Sequence, residues 1–196
     1  MKTLLNVFIA FVLFTNMGFA QVGWTIDPAH TNARFEVKHL GIAIVDGAFT
    51  KLEGSVETAN ATDFNKAKVN FTIDVNSIDT RVEMRDNHLK SDDFFNAEKY
   101  PSMKLTNATL KKAKNNSFIL TGDLTIRDVT KSVVFKVTQN GGIITDPWGK
   151  TRAGFTATTA INRFDYNIKY NDKLPTGVDA VAPTVEIIVH VEVVKN

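Results

Sequence analysis

The sequence predicts an all-β, antiparallel protein on three observations. Apolar and polar residues alternate with period two along most of the chain, turn residues recur at hairpin spacing, and only one substantial helical pattern interrupts them. Parallel strands would need crossover helices between them, which the pattern does not supply. An antiparallel sheet of about eight or nine strands either closes into a barrel or splits into a sandwich, because open edges invite aggregation. Periodicity does not choose between the two.

The Trp24 segment is the first strand, and Ala33, Phe35 and Val37, alternating with Arg34, Glu36 and Lys38, make a second. A third spans Ala48 to Glu57. In the fourth, Val69, Phe71, Ile73 and Val75 form a dry face against Lys68, Asn70, Thr72 and Asp74. Further strands run from Met103 to Lys111, Phe118 to Ile126, Ser132 to Gln139, Arg152 to Asn162 and Thr184 to Val194. The last sets Val185, Ile187, Val189, Val191 and Val193 on one face, which needs a cover. Turn signals lie at Asp46-Gly47, Asn115-Asn116, Asn140-Gly141-Gly142 and Asp146-Pro147.

The interruption runs from Ser77 to Met103 and reads as a gate over a cavity. Thr80 followed by Glu83 is a capping box, with Asp79 adding favourable charge, so a helix is expected from Thr80 to Lys90. On that helix Arg81, Arg85 and His88 share one face, and Val82 and Leu89 form an anchoring seam beside it. A second turn covers Ser91 to Ala97, and Tyr100-Pro101 stops it before the next strand. Phe94, Phe95 and Tyr100 add an aromatic cluster. Taken singly, these residues have ordinary explanations: ion pairs of Arg85 with Asp86, Asp92 or Asp93, a structural His88 and a hydrophobic plug. Together they suit an apolar ligand with a polar head, for which Arg81, Arg85 and His88 are the head-group candidates.

Residues 1–20 carry Lys2, an apolar run from Leu4 to Phe14, and Gly18-Phe19-Ala20, the pattern of a secretory signal peptide cleaved near Ala20. The remaining 176 residues, 21–196, suit one domain. With Lys2 gone, 22 basic residues face 21 acidic ones, a net charge of +1 and no nucleic-acid footprint. There is no later stretch long and apolar enough for a membrane helix. The absence of cysteine excludes disulfides, thiol catalysis and thiolate metal sites. His30, His39, His88 and His190 show no metal-binding spacing, so no metal or other cofactor is expected. Asp27 and His30 could form an acid/base pair, but Asp27-Pro28-Ala29-His30 reads better as a capped turn. With no GxSxG, P-loop or GxGxxG motif, enzymatic activity is not expected.

Several motifs, in order and spacing, resemble those of the YceI-like family of exported bacterial proteins, also called polyisoprenoid-binding proteins. They are Trp24-Thr25-Ile26-Asp27 with His30, Gly47-Ala48-Phe49, Ser77-Ile78-Asp79-Thr80, the run Arg85 to Phe95 with Tyr100-Pro101, Gly122 to Ile126, Val129-Thr130-Lys131 and Thr158 to Asp165. The resemblance implies an extended eight-stranded antiparallel barrel of lipocalin-like shape, here with the short helical insert between Thr80 and Ala97. It also implies a periplasmic location and an elongated pocket for a polyisoprenoid, isoprenoid quinone or fatty-acid derivative. Candidate pocket residues are Phe35, Val37, Phe71, Ile73, Phe94, Phe95, Leu124, Phe135, Phe155, Ile187 and Val189. Asn167 stands where the family usually has glycine and can adopt the same left-handed backbone, while Arg127-Asp128 replaces the usual His-Gly. The alternatives are a ligand-free stress-response or structural partner protein and an enzyme acting on an isoprenoid. One sheet edge near the gate could also support a homodimer.

Overall fold

The computed structural model describes residues 21–196, so the expected signal peptide lies outside the described residues. Eleven strands form one sheet: β1 Val22–Ile26, β2 Asn32–His39, β3 Ala43–Phe49, β4 Leu52–Thr58, β5 Lys68–Asp74, β6 Ile78–Asp79, β7 Ser102–Lys112, β8 Ser117–Ile126, β9 Val129–Thr145, β10 Thr151–Asn162 and β11 Val181–Lys195. β1, β4, β5, β7, β8, β9, β10 and β11 close a ring of eight antiparallel strands, sealed where Trp24 pairs with Lys195 and Ile26 with Val193. A closed ring settles the choice between barrel and sandwich.

The other three strands prolong the wall at one end. β2 pairs with β11 above β1, β3 pairs with β2, and β6 pairs with β3. Thus β1–β2, β3–β4 and β5–β6 are broken halves of three long strands. The breaks fall at the Asp27–Thr31 turn, at Thr50-Lys51 and at a 3-10 turn over Val75–Ser77. The single expected strand from Ala48 to Glu57 is split by the second break.

Two turn signals prove to be strand features. Asp46-Gly47 lies inside β3, and the chain reverses instead at Leu40-Gly41, both with left-handed backbone. Gly47 is small for another reason: a Cβ there would stand 2.5 Å from the Phe35 ring. Asn140-Gly141-Gly142 lies within β9, beside the register shift between Arg152 and Gly154, and the reversal follows at Asp146. Asn115-Asn116 does turn the chain, with φ of 54° and 56°.

Inward-facing side chains fill the ring at its β1 end. Trp24 is fully buried, its Nε1 donates to Thr58 Oγ1 at 3.0 Å, and its ring lies 4.9 Å from that of Phe64. Phe155 meets Phe64 at 4.8 Å and Phe118 at 6.4 Å. These four aromatic rings plug one end of the barrel.

Candidate functional site

Above the plug the inner faces enclose a cavity of about 200 Å³ lined almost wholly by apolar side chains. Period two puts them there: Phe35 and Val37 from β2, Phe71 and Ile73 from β5, Leu124 from β8, Phe135 from β9, and Ile187 and Val189 from β11. Phe94 and Phe95 descend from the gate segment. Phe155, expected among them, is absent from the lining; its position on β10 lies at the plug, where it packs on Phe64 and Phe118.

The gate is built differently from the sequence expectation. Helix α1 spans Glu83–Lys90, starting three residues later than Thr80, because Arg81 has φ of 67° and breaks the helical path. Thr80 forms no capping box. Its N–H and Oγ1 instead donate to Asp86 Oδ1 at 2.9 and 2.5 Å. Arg81, outside the helix, therefore does not share a face with Arg85 and His88. Val82 is also too exposed to anchor the helix, at 42 % accessible, whereas Leu89 does reach the cavity.

The three cationic candidates are turned to protein groups, and none lines the cavity. Arg81 is ion-paired with Asp46. Arg85 donates to Thr80 Oγ1 at 2.8 Å and to the Thr80 carbonyl at 2.7 Å. His88 Nε2 lies 2.9 Å from Asp93, and its ring stands edge-on to Phe94 and Tyr170. Phe94 and Tyr170 stack at 4.9 Å, and Phe95 meets Phe49 at 5.8 Å, so aromatic rings close the gate from both sides.

Arg127 and Arg163, which stand in the family motifs but not among the expected site residues, hold this end together. Arg127 Nη1 donates to the carbonyls of Asp92 and Phe94 at 2.9 and 2.7 Å, and its Nη2 donates to the Asp92 carboxylate at 2.8 Å. Arg127 has left-handed backbone, as does Asn167, whose side chain donates to Asp128 at 3.1 Å. The two departures from the family pattern thus meet in space. Arg163 is 3 % exposed and lines the cavity. Its position was legible, since the alternation of Ala157, Thr159 and Ile161 along β10 continues inward to 163.

At the opposite end, Asp27, His30 and Glu192 bring ligand atoms close enough for a metal ion, but Arg152 occupies their centre. Its Nη1 donates to Asp27 at 2.6 Å and Glu192 at 2.5 Å, and its Nε donates to Asp146 at 2.6 Å. The Arg152 guanidinium, aided by His30, holds the Asp27 carboxyl down at about 2. A cation is already supplied by the chain, and the expected turn is present, with Ala29 N–H donating to Asp27 Oδ1 at 3.0 Å.

Residues 24–193 match the model of the YceI-like domain. A UPF0312 protein of Photorhabdus laumondii is 38% identical over 170 residues, covering 86% of this chain and 87% of that one. Protein YceI of Salmonella arizonae is 35% identical over 197 aligned positions, covering 100% of this chain and 98% of its own. Among solved structures, Burkholderia cenocepacia BcnA superposes with a TM-score of 0.71 at 23% identity, over 85% of this chain and 98% of that one. A polyisoprenoid binding domain from Saccharophagus degradans gives 0.62 at 14% identity, over 88% and 98% of the two chains. With the family model spanning the barrel from its first strand to its last, the chain belongs to the YceI-like family.

Proposed function

We propose that this protein binds a long-chain amphiphilic lipid inside the barrel and carries it non-covalently: a polyisoprenoid, an isoprenoid quinone or a fatty-acid derivative. The observation that supports this most is the cavity, whose walls offer apolar side chains from β2, β5, β8, β9 and β11 and no assembled catalytic group. The likeness in fold to a polyisoprenoid binding domain agrees with it. The amino-terminal pattern of residues 1–20 points to work in the periplasm.

Burial of chain carbons supplies the affinity, at roughly 0.8 kcal/mol per methylene, so a five-carbon isoprene unit contributes about 4 kcal/mol before costs. Eight such units would pass the practical ceiling of about 18–21 kcal/mol, so ordering and imperfect packing must offset much of the gain. Chain length is then set by depth rather than by affinity. The cavity, about 200 Å³, is smaller than the roughly 300–1,000 Å³ of drug-sized ligand sites. A long chain therefore enters as the Phe94–Phe95 gate moves and the lining rings rotate. Arg81, Arg85 and His88 act on this gate through Asp46, Thr80 and Asp93.

Native mass spectrometry of protein purified from its own compartment tests the reading. A bound long-chain molecule is expected, and Phe71→Asp should abolish it while circular dichroism still reports a folded barrel. Wild-type protein that emerges without ligand and takes up no added lipid would instead favour a ligand-free partner protein.

A further inference from the structure

Large apolar side chains left in water gather around the gate. Ile42 and Met84 are 87 % and 81 % exposed, and Ile44, Val82, Leu174 and Val178 are open to solvent as well. These six are the majority of the ten such side chains among the described residues. The β2–β3 turn presents Ile42, and Ile44 stands opposite Lys38 on the outer face, since Val37 beside it faces the cavity. The 171–180 loop presents Leu174 and Val178 and is joined to that turn. Leu40 N–H donates to the Ala180 carbonyl at 3.0 Å, and a Cβ on Gly41 would stand 3.2 Å from the Val178 side chain. Val82 and Met84 stand at the start of α1, where neighbouring Arg81 is ion-paired with Asp46, two residues along β3 from Ile44. The gate lies between these elements, because Phe94 stacks on Tyr170, which leads into the loop, and Phe95 meets Phe49 of β3.

Removing apolar surface from water drives folding, so a cluster left outside beside a cavity marks a surface that meets something else. Its shape and charge indicate what. Residues 40–42 lie beyond the last strand pairs, His39 with Ala43 and His39 with Val181, and the loop beside them is a tight turn in which Leu174 N–H donates to the Val178 carbonyl at 2.8 Å. These are projecting knobs, which sink into a soft medium, whereas a protein partner would need a matching pocket for each. Outward charges along β2 and β3 are ordered: Lys38 stands beside Ile44 at the tip, and Glu36 meets Asp46 and Glu186 further back. Within the loop Lys173 is balanced by Asp179, and Asp172 accepts from the Tyr170 hydroxyl at 2.9 Å.

We propose that the gate end of the barrel docks on a lipid bilayer, with Ile42, Leu174 and Val178 entering the boundary between head groups and acyl chains and Lys38 at the level of the phosphates. Apolar groups held in that boundary sink roughly 5–10 Å, which requires no membrane-spanning segment. The inference extends the lipid-binding reading above, on which its purpose rests. A long apolar chain leaves a membrane for water at high cost. With the gate pressed to the bilayer, the chain passes from one apolar phase to the other without crossing water.

Flotation of the full-length processed protein with vesicles of phosphatidylethanolamine and phosphatidylglycerol tests the docking apart from the cargo. Wild-type protein should float with the vesicles. Ile42→Asp should lower its partition coefficient at least tenfold while circular dichroism still reports a folded barrel, because that side chain stands almost wholly in water. Trp148→Asp, equally exposed but at the opposite end, should float as wild type does. The chain has no cysteine, so a single polarity-sensitive dye on Ile42→Cys should shift to the blue with vesicles, and one on Trp148→Cys should not. Wild-type protein that stays out of the vesicle fraction, Ile42→Asp that floats equally, or flotation lost through Trp148→Asp instead overturns the inference. So does wild-type protein that pairs with itself in sedimentation while Ile42→Asp stays monomeric and neither floats, since the rim is then a face between two copies. Native mass spectrometry keeps the two readings apart. Protein that holds a long chain yet does not float loses the docking and keeps the cargo, and protein that floats yet neither carries nor takes up lipid loses the cargo and keeps the docking.

Discussion

Arg127 ties the gate to the β8–β9 turn through groups that any sequence would provide, the carbonyls of Asp92 and Phe94, and through one that is specific, the Asp92 carboxylate. The Asp92 carboxylate is exposed, so solvent screens the ionic bond, and the clasp as a whole is worth about 1–2 kcal/mol, most of it from the part-buried bond to the Phe94 carbonyl. Arg127→Ala should lower unfolding free energy in urea by about that amount. It should also speed amide exchange across Ser91–Ala97, because the gate loses its clamp without losing its aromatic packing. Amide exchange unchanged from wild type would show that the rings alone hold the gate. The sequence marks Arg127-Asp128 as unusual for the family, yet its partner Asp92 lies 35 positions away and could not be read. Likewise, the helical spacing of Arg81, Arg85 and His88 depended on one dihedral angle at Arg81, which side-chain pattern does not encode.

The β7–β8 pair shows what an element adds to its residues. A bulge between Thr106 and Thr109 pushes Ala108 inward, and Asn107 takes φ of 51° to make it. Across the pair sits Gly122, where an added Cβ would lie 2.5 Å from the Ala108 Cβ and 2.8 Å from its Cα. Gly122→Ala should therefore force backbone to move and cost about 1–3 kcal/mol, the usual penalty for overpacking. Thermal melting should show the loss, and Ala108→Gly in the same chain should restore part of it. Strand identity was legible because period two is a local property: the inward face of β11 agrees residue by residue with the Val185 to Val193 alternation. The break at the Asp27 to His30 turn was legible too, whereas the one at Thr50-Lys51 was not, since it follows from β3 and β4 meeting different neighbours, β2 and β1.

At the scale of the whole molecule, closure is clasped by the charges around Arg152, which join the β1–β2 turn through Asp27, the β9–β10 turn through Asp146 and β11 through Glu192. Burial pushes the Asp146 carboxyl up, but the Arg152 bond and the N–H groups of Lys150 and Trp148 outweigh it and leave it below the ordinary value. Asp27 falls further, from 3.8 in an unstructured chain to about 2. Between those values the unfolded chain binds more protons, so the stabilisation is full above about 3.8 and drains away as pH falls toward 2. Asp27→Asn should be less stable at neutral pH and show a shallower drop in Tm from pH 4.5 to 2. A parallel drop in both proteins would remove Asp27 from the acid response. Barrel and sandwich share the same dry faces, so only this closure distinguishes them, and it joins residues as far apart as Thr25 and Asn196, 171 positions. Such a pairing forms late, because a long loop must be ordered before the contact rewards it. Until β11 arrives, β1 has one open edge and the half-built sheet another, so a newly made chain spends its slowest step in the state most exposed to sticking to its neighbours.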